Sequence, residues 1–518
     1  MFGFFKNKNK ESGFDKKVDK LNAALENSRL SKSLEKNIAD IRALFKDDDT
    51  LVIRYIENRN DDRLKYYIFF TDGLVDSEII DRSIIKPLIT TSDAKPGAGL
   101  IDVLMNRVLL TGEIKKTDCL KDIVESVTYG DTILYIDGER EALILNTKKF
   151  QMRSVNEPNN EKTLSGPREG FTESLLSNLS LVRRKIRSND LKMKYHTIGK
   201  RTKTTACVCY IESIAKKQII DELYRRLSKI DIDGVLDSNY IIEIIKDAPY
   251  SPFPSIGFTE RPDVAAGRLL EGRVALFIDG TPVVITLPYL FIENLQSSED
   301  YYLNYFYTSF NRLLRIMGLI LTTTVPAVYI SVVAYHHEMI PKNLIISIAS
   351  ARKSVPLPAS LECVLMLAVF ELIKETGARM PTNIGQALSI VGALVIGEAA
   401  VQARLVAAPM IIVVSITGIS SLVLPKLQGA IIYIRLMLLI LATMLGLYGF
   451  VLGVAMIFIH VLNLKSCGVP QVALTGHIRY QYIKDVFIRG PWFKMNDRPR
   501  MMTDDRIRMV TDSAQSED

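Results

Sequence analysis

Leu436–Leu464 reads LMLLILATMLGLYGFVLGVAMIFIHVLNL, and Ile316–Tyr335 reads IMGLILTTTVPAVYISVVAY. The first run is 29 residues and the second 20, and neither contains Asp, Glu, Lys or Arg. A helix rising about 1.5 Å per residue needs roughly 20 apolar residues to cross a hydrocarbon layer of about 30 Å. Both runs reach that length, so the chain is expected to be an integral membrane protein. The longer one exceeds it, which implies tilt or a bent end. Thr322, Thr323, Thr324 and Pro326 in the shorter one imply a kink, with hydroxyls bonded back to the preceding turn.

Two more segments extend the block. Leu405–Pro425 is uncharged over 21 residues, and Ile384–Ala403 is broken only by Glu398. Four spans are therefore expected, at about 313–335, 384–403, 405–425 and 430–464. Leu313–Leu462 holds 14 charged residues in 150, against 24% for the whole chain, so the apolar block is a distinct domain. Leu357–Ile373 fits less well, because it carries Glu362 and Glu371. At about 100° per residue these two acids fall on opposite sides of a helix. The segment is expected to be re-entrant, to line water, or to be buried in protein.

The N-terminal half has a different texture. Tyr135-Ile136-Asp137-Gly138 and Phe277-Ile278-Asp279-Gly280 each sit between short alternating apolar runs, which is a strong hairpin signal. Upstream of each hairpin lies a strand-like run and then an apolar-periodic helix: Tyr67–Phe70 with Ser77–Leu88, and Ala206–Ile211 with Ser213–Leu227. The fold class expected is two related α/β subdomains in a soluble N-terminal half, followed by an all-α multi-span membrane domain. The boundaries read as a charged tail and leading helix (1–49), the first subdomain (50–160), a linker helix with a basic segment (161–203), the second subdomain (204–298), the membrane domain (299–464) and a C-terminal tail (465–518).

Charge narrows the partners. Arg183–Lys203 carries nine Lys or Arg against one acid, Asp190. The segment reads as a solvated linker, with an anionic lipid surface as the functional alternative. Its few aromatic residues speak against nucleic acid. The first 45 residues lack an apolar core, so no cleavable signal peptide is expected. Lys465, Arg479, Lys484, Arg489, Lys494, Arg498 and Arg500 outnumber Asp485 and Asp497, which places the tail, and with it the N-terminal half, on the cytoplasmic side.

Chemistry-bearing motifs are missing. Gly199-Lys200-Arg201-Thr202 lacks the earlier glycine of a phosphate loop, since Lys194 stands in its place. Cys207 and Cys209 are too close for the usual zinc spacing and read as small core residues on one strand face. No catalytic residue, metal site or cofactor is expected. One acid and one stripe remain of interest. Glu398 is an intramembrane carboxylate, which is rare and usually meets protein or water; Arg435 or Arg404 are candidate partners. Gly385, Ser389, Ala393 and Gly397 recur every four residues, a spacing that lets membrane helices approach closely.

Several landmarks recur in order from about residue 50 to 508. They are Gly166-Pro167-Arg168-Glu169 running on to Glu173, then Glu260-Arg261-Pro262-Asp263 after Thr259, then Glu299-Asp300-Tyr301-Tyr302. Gly377–Pro381, Ser389–Val401, Gly468-Val469-Pro470 and the tail from Lys484 to Pro499 complete the set. Together they resemble the A subunit of the GerA family of spore germinant receptors. Arg404 departs from the pattern, standing where glycine is common. The resemblance implies an A subunit that assembles with a transporter-like B subunit and a lipoprotein C subunit in the spore inner membrane. It implies a homo-oligomer forming a ligand-gated cation channel, within which Glu362, Glu371 and Glu398 are candidate pore acids. The SpoVAF type, an accessory germination channel, is the close alternative, and Gly166–Glu169 favours the receptor subunit. A substrate transporter and a membrane scaffold without conduction are the readings outside this class.

Overall fold

The computed structural model describes residues 25–92, 96–149, 165–380 and 395–472, apart from 27 and 98, with isolated positions at 158, 161, 163 and 392 and between 485 and 508. The chain forms two compact units. One comprises Met1–Lys246, Ile256–Pro288 and Pro491–Asp518; the other comprises Asp247–Ser255 and Tyr289–Gly490.

The first unit is a structural duplication. Strands β1 (Leu51–Glu57), β2 (Lys65–Thr71), β3 (Ile114–Thr117), β4 (Thr132–Ile136) and β5 (Ala142–Leu145) form a sheet in the order β1-β2-β4-β5-β3. Strands β6 (Leu191–Ile198), β7 (Thr204–Ile211), β8 (Gly257–Thr259), β9 (Val274–Ile278) and β10 (Val284–Leu287) form the other in the order β6-β7-β9-β10-β8. Counted along the chain, both orders are first, second, fourth, fifth, third, and every pairing is antiparallel. The two Asp-Gly pairs lie in the β4–β5 and β9–β10 hairpins. Gly138 (φ 83°) and Gly280 (φ 87°) take the left-handed conformation those turns require.

Alternation along the strands sets the layers. In the first sheet Tyr66, Ile68, Leu134 and Ile136 face the helical runs through Ile80–Ile85 and Leu104–Val108. The intervening Phe69, Ile133 and Tyr135 face the helices Leu34–Leu44 and Leu120–Tyr129. In the second sheet Cys207, Cys209 and Phe277 pack under Leu175–Lys185 and Pro262–Leu270. The two cysteines share one face as expected, with Sγ atoms 3.7 Å apart and both thiols free. Burial, then the neighbouring Cys209, holds the Cys207 thiol well above its ordinary pKa, so it stays protonated.

One boundary needs correcting. The basic segment assigned to a linker supplies β6, the edge strand of the second sheet. Leu191 and Met193 are core residues, and Lys192 is buried too, its ammonium donating to the Leu44 carbonyl at 3.2 Å. The alternating pattern was present, but its polar positions are lysines, and their density suggested a solvated run. The junction between subdomains is further closed by buried Arg183, which pairs with Asp48 and donates to the Ser188 and Leu191 carbonyls.

The second unit is helical. Among the described residues, two helices are long and apolar enough to cross a membrane, Tyr305–Ala334 and Pro425–Asn463. The segment expected as a span at 405–425 forms a shorter helix, Ala408–Leu422, of 15 residues. Its uncharged run included turn residues at both ends, so the charge-free length overstated the helix. Half of the 384–403 region, residues 384–391 with 393 and 394, lies outside the described residues. The longest helix breaks in its middle and not at an end, at Gly446, whose backbone (φ 63°, ψ −142°) leaves the helical region. The Tyr335 hydroxyl donates to the freed carbonyl of Thr443, satisfying a group that hydrocarbon would leave unpaired. Thr323, Thr324 and Ser331 bond back to carbonyls of the preceding turn, as the hydroxyl-rich sequence implies.

Candidate functional site

The three candidate acids have different surroundings. Ala359–Arg379 is one helix whose inward stripe is Ala359, Glu362, Cys363, Met366 and Leu367. Leu361, Leu365 and Leu372 point outward. The helix thus presents leucines outside and an acid inside. Glu362 is 0% exposed; Arg352 lies 3.4 Å from its Oε1, and the Ala407 backbone N–H donates to its Oε2 at 3.1 Å. Glu371 accepts from Arg435 at 2.9 Å and Lys374 at 2.7 Å. Glu398 is exposed, and among the described residues its partner is the Gln402 amide at 3.2 Å, with no cation in contact. Arg435, a candidate partner for Glu398, is taken by Glu371 instead.

Gly385, Ser389 and Ala393 of the small-residue stripe lie outside the described residues. Gly397 is half-buried, and a methyl group there would meet Ile411 at an ordinary 3.9 Å. A close helix approach that the sequence did not reveal occurs elsewhere. Thr322 donates to the Thr417 carbonyl at 3.0 Å, joining the Tyr305–Ala334 and Ala408–Leu422 helices. A hydroxyl on each of two apolar runs is too common to single out such a pair.

At the start of the first membrane helix lies a buried charge cluster. Arg312, 1% exposed, donates to Asp300 at 2.9 Å and to Asp485 at 2.9 Å. Arg315 donates to both carboxylate oxygens of Asp300 at 2.9 Å. Tyr301 donates to Asp485 at 2.9 Å. The Glu299–Tyr302 landmark therefore ties the helix start to the segment near residue 485.

Two other landmarks form one knot in the first unit. Arg261 is 0% exposed and donates to Asp263 at 2.9 and 3.1 Å, to the Thr163 hydroxyl at 2.9 Å and to the Pro167 carbonyl at 2.6 Å. The Phe171 N–H donates to the Glu260 carbonyl at 2.7 Å. Pro262 starts the Pro262–Leu270 helix, where its fixed φ suits the first turn and its missing N–H costs nothing. The Gly166–Glu169 and Glu260–Asp263 motifs are thus held together by a single guanidinium. Among the described residues no group of three His, Cys, Asp or Glu side chains is placed to hold a metal.

Residues 39–501 match the model of the Bacillus/Clostridium GerA spore germination protein family. The chain belongs to the GerA family. It is 37% identical over 486 residues to spore germination protein KA of Bacillus subtilis (strain 168), covering 93% of this chain and 89% of that one. It is 40% identical over 472 residues to the uncharacterized membrane protein YfkQ of the same organism, covering 91% of each. Among solved structures it is similar to the N-terminal domain of the A subunit of the Bacillus megaterium spore germinant receptor GerK3. That match is 32% identical, covers 51% of this chain and 98% of the other, and has a TM-score of 0.41.

One departure and one landmark of this GerA-family chain have a physical account. Arg404, where the sequence reading expects glycine, sits at φ 57°, just past a helix end that closes with Leu405 and Val406 donating back to the Ala400 carbonyl. A left-handed helix cap explains the preference for glycine there. Gly468-Val469-Pro470 belongs to a two-residue hairpin, Lys465–Ser466 against Val469–Pro470, whose turn N–H groups at Cys467 and Gly468 donate to Asp247 at 2.6 and 3.2 Å.

Glu169 gives a pH-dependent test. Burial raises its carboxyl pKa, but Lys185 at 3.1 Å and Arg184 outweigh that and hold it below its ordinary value. A carboxylate whose folded pKa is depressed contributes stability above its unfolded pKa and loses it as pH falls through the folded one. Glu169→Gln is therefore expected to lower the melting temperature at neutral pH. The gap from the parent should close as pH falls below the carboxylate range. Thermal melts of both proteins across that window read the effect; a constant gap would contradict the assignment.

Proposed function

We propose that this GerA-family chain is the A subunit of a nutrient-sensing germinant receptor, acting as a homo-oligomeric, ligand-gated cation channel with B-type transporter-like and C-type lipoprotein subunits. The reading places it in the spore inner membrane, with the N-terminal half and the C-terminal tail on the cytoplasmic side, as the basic residues near 465–500 favour. It requires no catalysis.

The observation that carries the channel is Glu398. A carboxylate in an apolar segment costs about 2.5–3.5 kcal/mol on insertion scales unless it meets water, a cation or a proton. Glu362 and Glu371 are each held by an arginine, which fits a role in helix packing. Among the described residues Glu398 is exposed and meets no arginine or lysine, so a copy standing alone would offer it to lipid. Several copies arranged about an axis would instead gather it beside water, and rings of acids favour cations. The Gly385, Ser389, Ala393 and Gly397 stripe precedes it and supports close approach of helices between copies.

Nutrient-triggered cation release from spores carrying Glu398→Gln tests the assignment. At parental protein levels, release should slow or change its ion preference. Unchanged release would place conduction elsewhere, and a loss of assembled protein would move Glu398 to the packing class with Glu362 and Glu371.

A further inference from the structure

The second unit contains a cavity of about 480 Å³, within the size range of ligand sites. Its walls are largely apolar. Ile330 and Val333 come from the last turns of the Tyr305–Ala334 helix, and Ile345 and Ile348 from the Lys342–Arg352 helix. The principal charge on the wall is Arg352. One of its nitrogens meets Glu362 at 3.4 Å, which leaves most of the five guanidinium donors for another acceptor. Its side chain is partly exposed, at 22%.

The helix that closes the cavity carries a second signal. Between Lys342 and its C-cap Lys353 it has three cations and no acid. Ile345 and Ile348 line the cavity, while Leu344 and Ile346, which flank that face, are exposed at 53% and 67%. A short helix with exposed apolar side chains and cations at its ends suits the headgroup layer, where its cations meet phosphates and its apolar residues meet acyl chains. The cavity lies beside the C-terminal end of a 30-residue helix, about 45 Å long at 1.5 Å per residue, which puts it near a membrane boundary.

We infer that this cavity is a binding site for an anionic phospholipid. Its acyl chain occupies the space between Ile330, Val333, Ile345 and Ile348, and its phosphate accepts from Arg352. Charge complementarity selects the anionic headgroup: a zwitterionic lipid would bring a further cation among Lys342, Arg352 and Lys353. The inference stands apart from the channel reading, since it concerns a different set of residues and needs no conduction.

The test uses the full-length protein, purified in detergent, stripped of lipid and melted with added phosphatidylglycerol or phosphatidylcholine. Phosphatidylglycerol is expected to raise the melting temperature with a saturating dose dependence, and phosphatidylcholine at the same concentration to leave it in place. Arg352→Gln should lose the shift, but it also removes a partner from buried Glu362 and so lowers the lipid-free melt. Ala349→Trp and Ser360→Phe fill the cavity from two walls and leave the Arg352–Glu362 contact intact. Either one, when its lipid-free melt matches the parent, should abolish the phosphatidylglycerol shift. Equal shifts from the two lipids, or a shift that survives both cavity-filling variants, would overturn the site. A shift reproduced by inorganic phosphate alone would assign Arg352 to a free anion and overturn the lipid reading.

Discussion

Asp300→Ala is expected to destabilise the membrane unit by about 3–5 kcal/mol, the usual cost of removing one partner from a buried ion pair. Arg312 is 1% exposed, and Asp300 is its closest carboxylate together with Asp485. Arg315 loses both of its carboxylate contacts in the same change. Two guanidiniums would then share Asp485 or draw in water. Asp300→Asn keeps the size and one acceptor and should cost less. The change is read as a fall in melting temperature of detergent-solubilised protein and as loss of assembled protein from membranes. A near-parental melt for Asp300→Ala would show that Asp485 alone holds the helix start.

Arg261→Ala should have an effect of similar size in the first unit. The side chain donates to the Asp263 carboxylate, the Thr163 hydroxyl and the Glu161 and Pro167 carbonyls, all around a fully buried guanidinium. Truncation strands these acceptors without water and leaves a cavity, for about 3–5 kcal/mol. For a unit of this size that is a fall in melting temperature on the order of 10 °C. Arg261→Lys keeps the charge but not the fork, so it should recover only part of the loss. Increased proteolysis around Glu161, Thr163 and Pro167, the residues that Arg261 fastens, would accompany the fall. A lysine variant as stable as the parent would show that charge alone suffices.

The parts legible in the sequence are those with a local signature. Asp137-Gly138 and Asp279-Gly280 announced their hairpins, and the strand–helix runs around Tyr67 and Ala206 announced the duplication. The membrane helices were visible through their uncharged length. The parts that escaped depend on partners distant in the chain. The Glu371–Arg435 pair joins residues 64 positions apart, and Arg312 meets Asp485 across 173. Glu362 illustrates the same limit. Of the three settings its segment allows, re-entrant, water-lining or buried in protein, the acid takes the buried one, held by Arg352 and the Ala407 N–H, and those partners leave no local signature. Strand β6 is hidden for a different reason: the charges of Lys192 and Lys194 mask the alternation of Leu191, Met193 and Tyr195.

The duplicated unit gives this GerA-family chain two α/β bodies joined through the Arg183–Asp48 pair, while Arg261 fastens the connecting segment at Glu161–Pro167 to the second body; both arginines are almost fully buried. The helical unit has its charges paired at Glu362, Glu371 and Asp300. Against that pattern, the exposed carboxylate of Glu398 is the feature that packing leaves unexplained. Its role can be read directly from ion selectivity.

The decisive measurement is the reversal potential under a salt gradient, recorded across bilayers holding the full-length protein with its receptor partners, for the parent and for Glu398→Lys. A channel lined by Glu398 predicts cation-selective, nutrient-dependent current in the parent and a reversal potential displaced toward the anion value in the lysine variant. Absence of current from the correctly assembled parent, or identical reversal potentials in the two proteins, would contradict the account.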